Sequence, residues 1–226
     1  MSDMRAQPAF PRKSFVFAPK FNQPPDDNNP LGHDATGAFQ PGMAAYKTLY
    51  EGMGGTVVTH LINNQKGNGP ARRAGIINAM QQGCGSKWYD AIVYFGHGDK
   101  NFLVSADFSV DTIGDFTAAV QQFGEPSVKV VLYACNCAAP GGIAYRIAND
   151  LRSWKNFGME VYGHPVKGHS FRNAVVRRYP GALGETGDTV APAGKVGNWI
   201  KAMADPKSNL WARFPFMTPR EIADTI

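Results

Sequence analysis

Along this chain, short apolar runs alternate with stretches whose apolar residues return every three or four positions, and that alternation predicts the elements. Lys13–Phe21 is rich in Phe and Val and is stopped by the polar, Pro-rich Asn22–Pro30, so it reads as a strand followed by a surface loop. Met43, Tyr46, Leu49, Tyr50 and Met53 share one helical stripe that ends at Gly54-Gly55, a pair suited to a left-handed cap. Thr56–Ile62 is a short β-branched strand, and Pro70 opens a helix over Ala71–Gln82 that closes at Gly83. Asp90–Phe95 is an unbroken apolar run of the kind buried on both faces, and Val128–Tyr133 is the next such strand. Helices follow them over Val110–Phe123 and Gly142–Trp154, the second with Ile143, Ile147 and Leu151 four residues apart. Met159–Tyr162 and Ala174–Arg178 are two further short strands, read as an edge pair.

Strands alternating with helices predict an α/β fold, a three-layer α/β/α sandwich around a mostly parallel central sheet of about six strands. Residues 1–180 form the domain; 181–226 are a Gly/Thr/Pro-rich extension expected to pack on it, with a helical patch at Gly197–Ala204 and an aromatic tail of Trp211, Phe214 and Phe216. A chain of 226 residues that is 43% hydrophobic and 18% charged can bury a sizeable core, which excludes a natively unfolded polymer. Its net charge of +5 comes without a long Lys/Arg run, and the doublets Arg72-Arg73 and Arg177-Arg178 read as solvated faces, so nucleic acid is not an expected partner. No apolar window spans a bilayer, so no membrane partner is expected either, and Met1 to Lys13 lacks the apolar core of a secretory signal. The expected location is the cytoplasm, or outside the cell by a route without a signal peptide. Composition leaves the oligomeric state open. Three cysteines, Cys84, Cys135 and Cys137, are too few for a disulfide framework and direct attention to thiol chemistry.

In an open parallel sheet, reactive residues collect beyond the carboxyl ends of the strands. Asp90–Phe95 is followed by Gly96-His97-Gly98, and Val128–Tyr133 by Ala134-Cys135-Asn136-Cys137. If these strands are neighbours, His97 and Cys135 face one crevice. A thiolate nucleophile needs an imidazole beside it, and a backbone free to hold the oxyanion that forms on the attacked carbonyl. Gly98, without a Cβ, allows close approach, and the amides of Gly98 and Cys135 are the expected oxyanion donors. His97 is the expected acid and base.

An apolar strand ending in His97-Gly98, then a helix, then an apolar strand ending in Ala134-Cys135 resembles the caspase-like (clan CD type) cysteine peptidases, the group of caspases, legumains and clostripain. The resemblance spans Lys13 to Arg178 in element order and rests at residue level on those two dipeptides. It implies a cysteine endopeptidase acting on protein or peptide substrates through a thioester acyl-enzyme, without a cofactor. Clostripain-like and legumain-like members place an acid two residues before the nucleophile and caspases place Gln there; this chain has Tyr133, so a preference for basic residues is not implied. Tyr133, Asp99 and Lys20 are the expected substrate-binding residues, with Asn22 beside Lys20 on the loop that follows the first strand. Asp99 and Asp107 are also candidates to orient His97.

Two other readings compete. Cys135, Cys137, His164 and His169 lie near strand ends and have the chemistry of a tetrahedral zinc site, although Cys-x-Cys is tighter than the usual knuckle. The fold can also serve as a binding module with no catalysis. The Gly-rich turns lack the Gly-x4-Gly-Lys-Ser/Thr pattern that cradles phosphate, so nucleotide binding is not expected. Cys137 and Cys84 read as packing thiols.

Overall fold

The computed structural model describes residues 10–23, 33–34, 39–65, 68–152, 158–180 and 186–226. Seven strands make the central sheet: β1 (Lys13–Pro19), β2 (Thr56–Ile62), β3 (Tyr89–Phe95), β4 (Gly124–Tyr133), β5 (Glu160–Gly163), β6 (Arg177–Pro180) and β7 (Asp188–Thr189). Their spatial order is β7-β6-β5-β4-β3-β1-β2. The five strands from β5 to β2 run parallel, and β6 and β7 are antiparallel additions at one side. The helices are α1 (Gln40–Gly52), α2 (Gly69–Cys84), α3 (Ile113–Phe123), α4 (Ile143–Arg152), α5 (Val196–Ala204), α6 (Leu210–Arg213) and α7 (Pro219–Thr225).

Strand alternation builds two cores, one on each face of the sheet. Phe15, Phe17, Ile92, Tyr94, Val130 and Leu132 point to the face covered by α2, α3 and α4. Val16, Ala18, Val93, Phe95, Val131 and Tyr133 point to the face covered by α1 and by the C-terminal helices, which contribute Trp199, Met203, Leu210, Trp211, Phe214 and Ile222. The result is an α/β protein with a mostly parallel sheet between helical layers, and the aromatic tail supplies core to one of them.

Element bounds differ from the sequence reading where side chains divert the backbone. The strand expected over Ala174–Arg178 begins at Arg177, because the Ala174 carbonyl accepts from Trp199 Nε1 (2.6 Å) and the Val175 carbonyl from His164 Nδ1 (3.1 Å). The helix expected from Val110 begins at Ile113, after a hairpin of Phe102–Leu103 with Phe108–Ser109 that periodicity does not reveal. The two short strands are not an isolated edge pair. β5 lies between β4 and β6, and the sheet edge is the two-residue β7, short as exposed edges tend to be. The α1 stripe ends as predicted, with Gly54 at φ +89° and the Gly55 amide donating to the Tyr50 carbonyl (2.8 Å). Part of the helix read to Trp154 and of the loop read over Asn22–Pro30 lies outside the described residues.

Candidate functional site

From β1 the chain moves outward to β2, then returns to place β3 on the other side of β1, so the sheet changes direction between β1 and β3. Crevices open at the carboxyl ends of strands at such a point. Three of those ends carry the candidate chemistry: Asn22 beyond β1, His97 beyond β3 and Cys135 beyond β4. β3 and β4 are hydrogen-bonded neighbours whose last register pair is Phe95 with Tyr133, so His97 and Cys135 each stand two residues past a shared rung. Adjacent strands are about 4.8 Å apart, which brings the two residues to one rim.

His97 is held at its backbone. Its carbonyl accepts from Tyr94 Oη (2.9 Å) and the Val104 amide (2.9 Å), and its own amide donates to Ser105 Oγ (3.4 Å). The ring is solvent-facing on one side, and Phe39 packs edge-on against it with centroids 4.8 Å apart. Nε2 lies 2.8 Å from Asn22 Oδ1. A carbonyl oxygen only accepts, so the neutral ring carries its proton on Nε2 and leaves the Nδ1 lone pair free. Partial burial lowers the His97 pKa below its ordinary value, and the bond to Asn22 opposes that shift. The imidazole is therefore neutral at pH 7 and able to accept a proton.

Cys135 is half-buried, and its Sγ donates to the Gly168 carbonyl at 3.6 Å rather than to His97. Asn136, the next residue, has φ +54°, a left-handed conformation that Asn tolerates better than most residues and that turns the chain sharply beside the thiol. The turn is fastened by the Asn136 amide to Val166 O (3.3 Å) and the Ala139 amide to Asn136 O (3.0 Å). Gly98 fits where a side chain would not: a Cβ there would stand 2.8 Å from Ala134 Cβ and 3.2 Å from the Cys135 carbonyl oxygen. Neither the Gly98 amide nor the Cys135 amide has an acceptor among the described residues. Two free amide donors thus sit at touching segments beside the thiol.

Other sequence-predicted positions fare differently. Tyr133 is 1% exposed, and its hydroxyl donates to the Trp211 carbonyl (2.6 Å) while its ring stacks on Phe95. It belongs to the core and lines no substrate pocket, because the C-terminal segment covers it. Asp99 is exposed, and its Oδ1 accepts from the Asn101 amide (2.7 Å), a carboxylate that shapes its own turn rather than orienting His97. Lys20 is exposed beyond β1, with its ammonium 5.4 Å from the Phe21 ring centroid. Asp107 is paired with Arg73 and is not available to His97. The partner that does orient His97 is Asn22, which sequence reading placed on the rim without assigning it that role.

The four zinc candidates are not brought together. Cys137 is buried, with Sγ donating to Ala134 O (3.1 Å), and burial pushes its thiol up to about 12. His164 is 2% exposed and spends Nδ1 on Val175 O. Among the described residues no three of His, Cys, Asp and Glu are grouped to hold a metal, and no described helix is long and apolar enough to cross a membrane.

A cavity of about 470 Å³ opens at the opposite, amino-terminal ends of the strands, lined in part by Arg12, Asp90, Lys129, Glu160 and Arg178. Its charges are largely spent on one another: Glu160 pairs with Lys129 and with Arg178 (3.3 Å), and Arg12 with Asp90 (3.4 Å). The residues lining this cavity include no cysteine or histidine, and its aliphatic hydroxyl–carboxylate pair, Thr218 with Glu221 (2.8 Å), is the capping box that starts α7. Mostly parallel α/β architecture with a thiol and an imidazole on adjacent strand ends is the class that fold and site define. No family model matches the chain, and no curated protein or solved structure is significantly similar to it.

Proposed function

We propose that this chain is a cysteine endopeptidase of the caspase-like kind, with Cys135 as nucleophile and His97 as acid and base. The observation that carries the reading is the register of β3 with β4. It sets His97 and Cys135 on neighbouring strand ends, with Gly98 packed against the Cys135 carbonyl and two unused amides beside the thiol.

In this reading Cys135 gives its proton to His97 Nδ1 and the thiolate attacks the substrate carbonyl carbon, placing negative charge on the carbonyl oxygen. The Gly98 and Cys135 amides receive that oxygen, and such donors are worth about 10²–10³ in kcat where they have been removed. The imidazolium then protonates the leaving amine as the C–N bond breaks, leaving a thioester. Water attacks the thioester, His97 takes its proton, and Cys135 is released. The Asn22 bond at Nε2 keeps Nδ1 as the working nitrogen and helps hold the imidazolium once formed. The thiol must leave Gly168 O to meet His97, and catalytic hydrogen bonds commonly tighten only with substrate bound.

The test is the alkylation rate of each cysteine against pH, read by peptide mass spectrometry, for wild type and His97→Ala, beside digestion of an unstructured protein such as casein. Cys135 is expected to react faster than Cys84 and Cys137, with a pH profile that shifts in His97→Ala and casein cleavage that is lost. Cleavage that survives His97→Ala refutes the mechanism. Slow, His97-independent labelling with no cleavage moves the protein to the binding-module reading, which the thiol's contact with Gly168 O favours.

A further inference from the structure

The two edges of the central sheet are built differently. One is β7, two residues long, with Asp188 drawn to Arg178 (2.9 Å). The other is β2, seven residues long and, among the described residues, paired on one side only, to β1. Monomeric proteins blunt a long edge with a charge, a proline, a bulge or a covering segment. Residues 56–65 carry no Asp, Glu, Lys, Arg or Pro. The register of β2 with β1 runs from Thr56 with Lys13 to Ile62 with Pro19 without a shift, so there is no bulge either.

Hydrogen bonds fix which groups face outward. The Thr56 amide donates to Arg12 O and the Ile62 carbonyl accepts from the Lys20 amide, both at 2.9 Å. Successive residues of a parallel strand bond to opposite sides, so Thr56, Val58, His60 and Ile62 serve β1 while Val57, Thr59 and Leu61 turn N–H and C=O away from it. No described residue takes up those outward groups. Val57 is covered, at 5% exposed, but Thr59 and Leu61 are exposed, Leu61 at 47%. In an antiparallel pair the hydrogen-bonded positions recur every second residue. A second copy related by a two-fold axis at His60 therefore sets Thr59 against the partner's Leu61 and Leu61 against the partner's Thr59, each pair exchanging both bonds. Copies of one chain carry the same charges, so pairing with itself requires a charge-free edge, a condition that a foreign strand of opposite charge does not impose. Burial lowers the His60 pKa below its ordinary value, and the two rings at the axis meet uncharged at pH 7.

We propose that β2 is a self-association edge, at which two copies of this chain join β2 to β2 antiparallel, about a two-fold axis at His60, into one continuous sheet. Strand direction reverses across the axis, so the two crevices open at opposite ends of the joined sheet and stay free. The pairing does not depend on the chemistry assigned to Cys135.

Sedimentation velocity of the full chain over about 1–100 μM measures the pairing, because such a dimer dissociates on dilution. Wild type is expected to pass from monomer to dimer across that range. Thr59→Pro deletes an N–H that the monomer does not use, at an edge position that tolerates proline, and is expected to weaken the dimer about tenfold or more, since both copies lose a bond. Thr59→Lys keeps the backbone and places a cation on the edge of each copy; it is expected to weaken the dimer similarly with thermal unfolding unchanged, which keeps the test open if the proline variant misfolds. His60→Cys adds a positive signal. Facing residues at a non-hydrogen-bonded position stand about 4.5 Å apart at Cα, within disulfide reach, so mild oxidation is expected to link position 60 of two copies, identified by peptide mass spectrometry. A chain that stays monomeric at about 100 μM overturns the proposal and leaves the edge to an extended strand of another protein. A dimer that both Thr59 variants leave intact lies on another surface and also overturns it. A dimer weakened by Thr59→Lys but never linked through position 60 refutes the axis at His60.

Discussion

His164 gives a measurable handle on how the crevice floor is built. It follows β5, is 2% exposed, donates Nδ1–H to Val175 O, and leaves Nε2 buried without a partner. Protonating it would place a charge in the core, a cost that the backbone carbonyls of Val175 and Ser170 offset only in part and to which His169 adds a small repulsion. Burial therefore lowers its pKa from the usual 6.5 to about 4. Between these values the unfolded chain binds a proton that the folded chain refuses, so stability is complete above pH 6.5 and is lost as pH falls toward 4. The loss is about 2 kcal/mol by pH 5 and on the order of 3 kcal/mol near pH 4. Urea unfolding followed by the fluorescence of buried Trp199 and Trp211 measures it, comparing wild type with His164→Gln at pH 7.5 and pH 5. Other groups titrate in both proteins and cancel in the comparison. Wild type is expected to lose about 2 kcal/mol more than the variant between the two pH values. If the two proteins lose stability in parallel, His164 is not held neutral by burial and the reasoning fails.

Three further outcomes are expected. Gly98→Ala forces a Cβ against Ala134 and the Cys135 carbonyl, so turnover should fall about 10²-fold or more while thermal unfolding shows a loss of about 1–3 kcal/mol; turnover within threefold of wild type would show that this contact does not position the oxyanion donors. Tyr133→Phe strips the Trp211 carbonyl of its buried donor and should cost about 1–3 kcal/mol in chemical denaturation, with peptide selectivity unchanged; a changed selectivity would return Tyr133 to the substrate pocket. Asn22→Ala removes the bond that favours the His97 imidazolium. It should move the acidic limb of the pH–activity profile to lower pH and cut kcat about 2–10-fold, whereas an unmoved limb would show that Asn22 does not act through His97.

The parts of this protein legible in its sequence are those fixed by neighbours along the chain. The apolar runs of Asp90–Phe95 and Val128–Tyr133 are a local property, and so is the reactive residue at each strand end. The α1 cap at Gly54 was readable for the same reason. Tyr133 was misplaced because what surrounds it comes from far away: alternation puts it on the same face as Val131, but only the docking of Trp211 turns that face into core. Ala174 and Val175 look like strand, and their carbonyls are taken by Trp199 and His164 instead.

The sequence by itself determined an α/β chain, most of its strand and helix order, and an imidazole and a thiol each placed just past the end of an apolar strand, because these follow from spacing and side-chain type. The tertiary structure decided that β3 and β4 are neighbours in register, that Asn22 from the end of β1 meets His97, and that Gly168 from beyond β5 meets the Cys135 thiol. Those relations join segments whose separation in sequence carries no signal. They are settled when two hydrophobic faces of one sheet are buried at once and the strand ends are carried to a common edge.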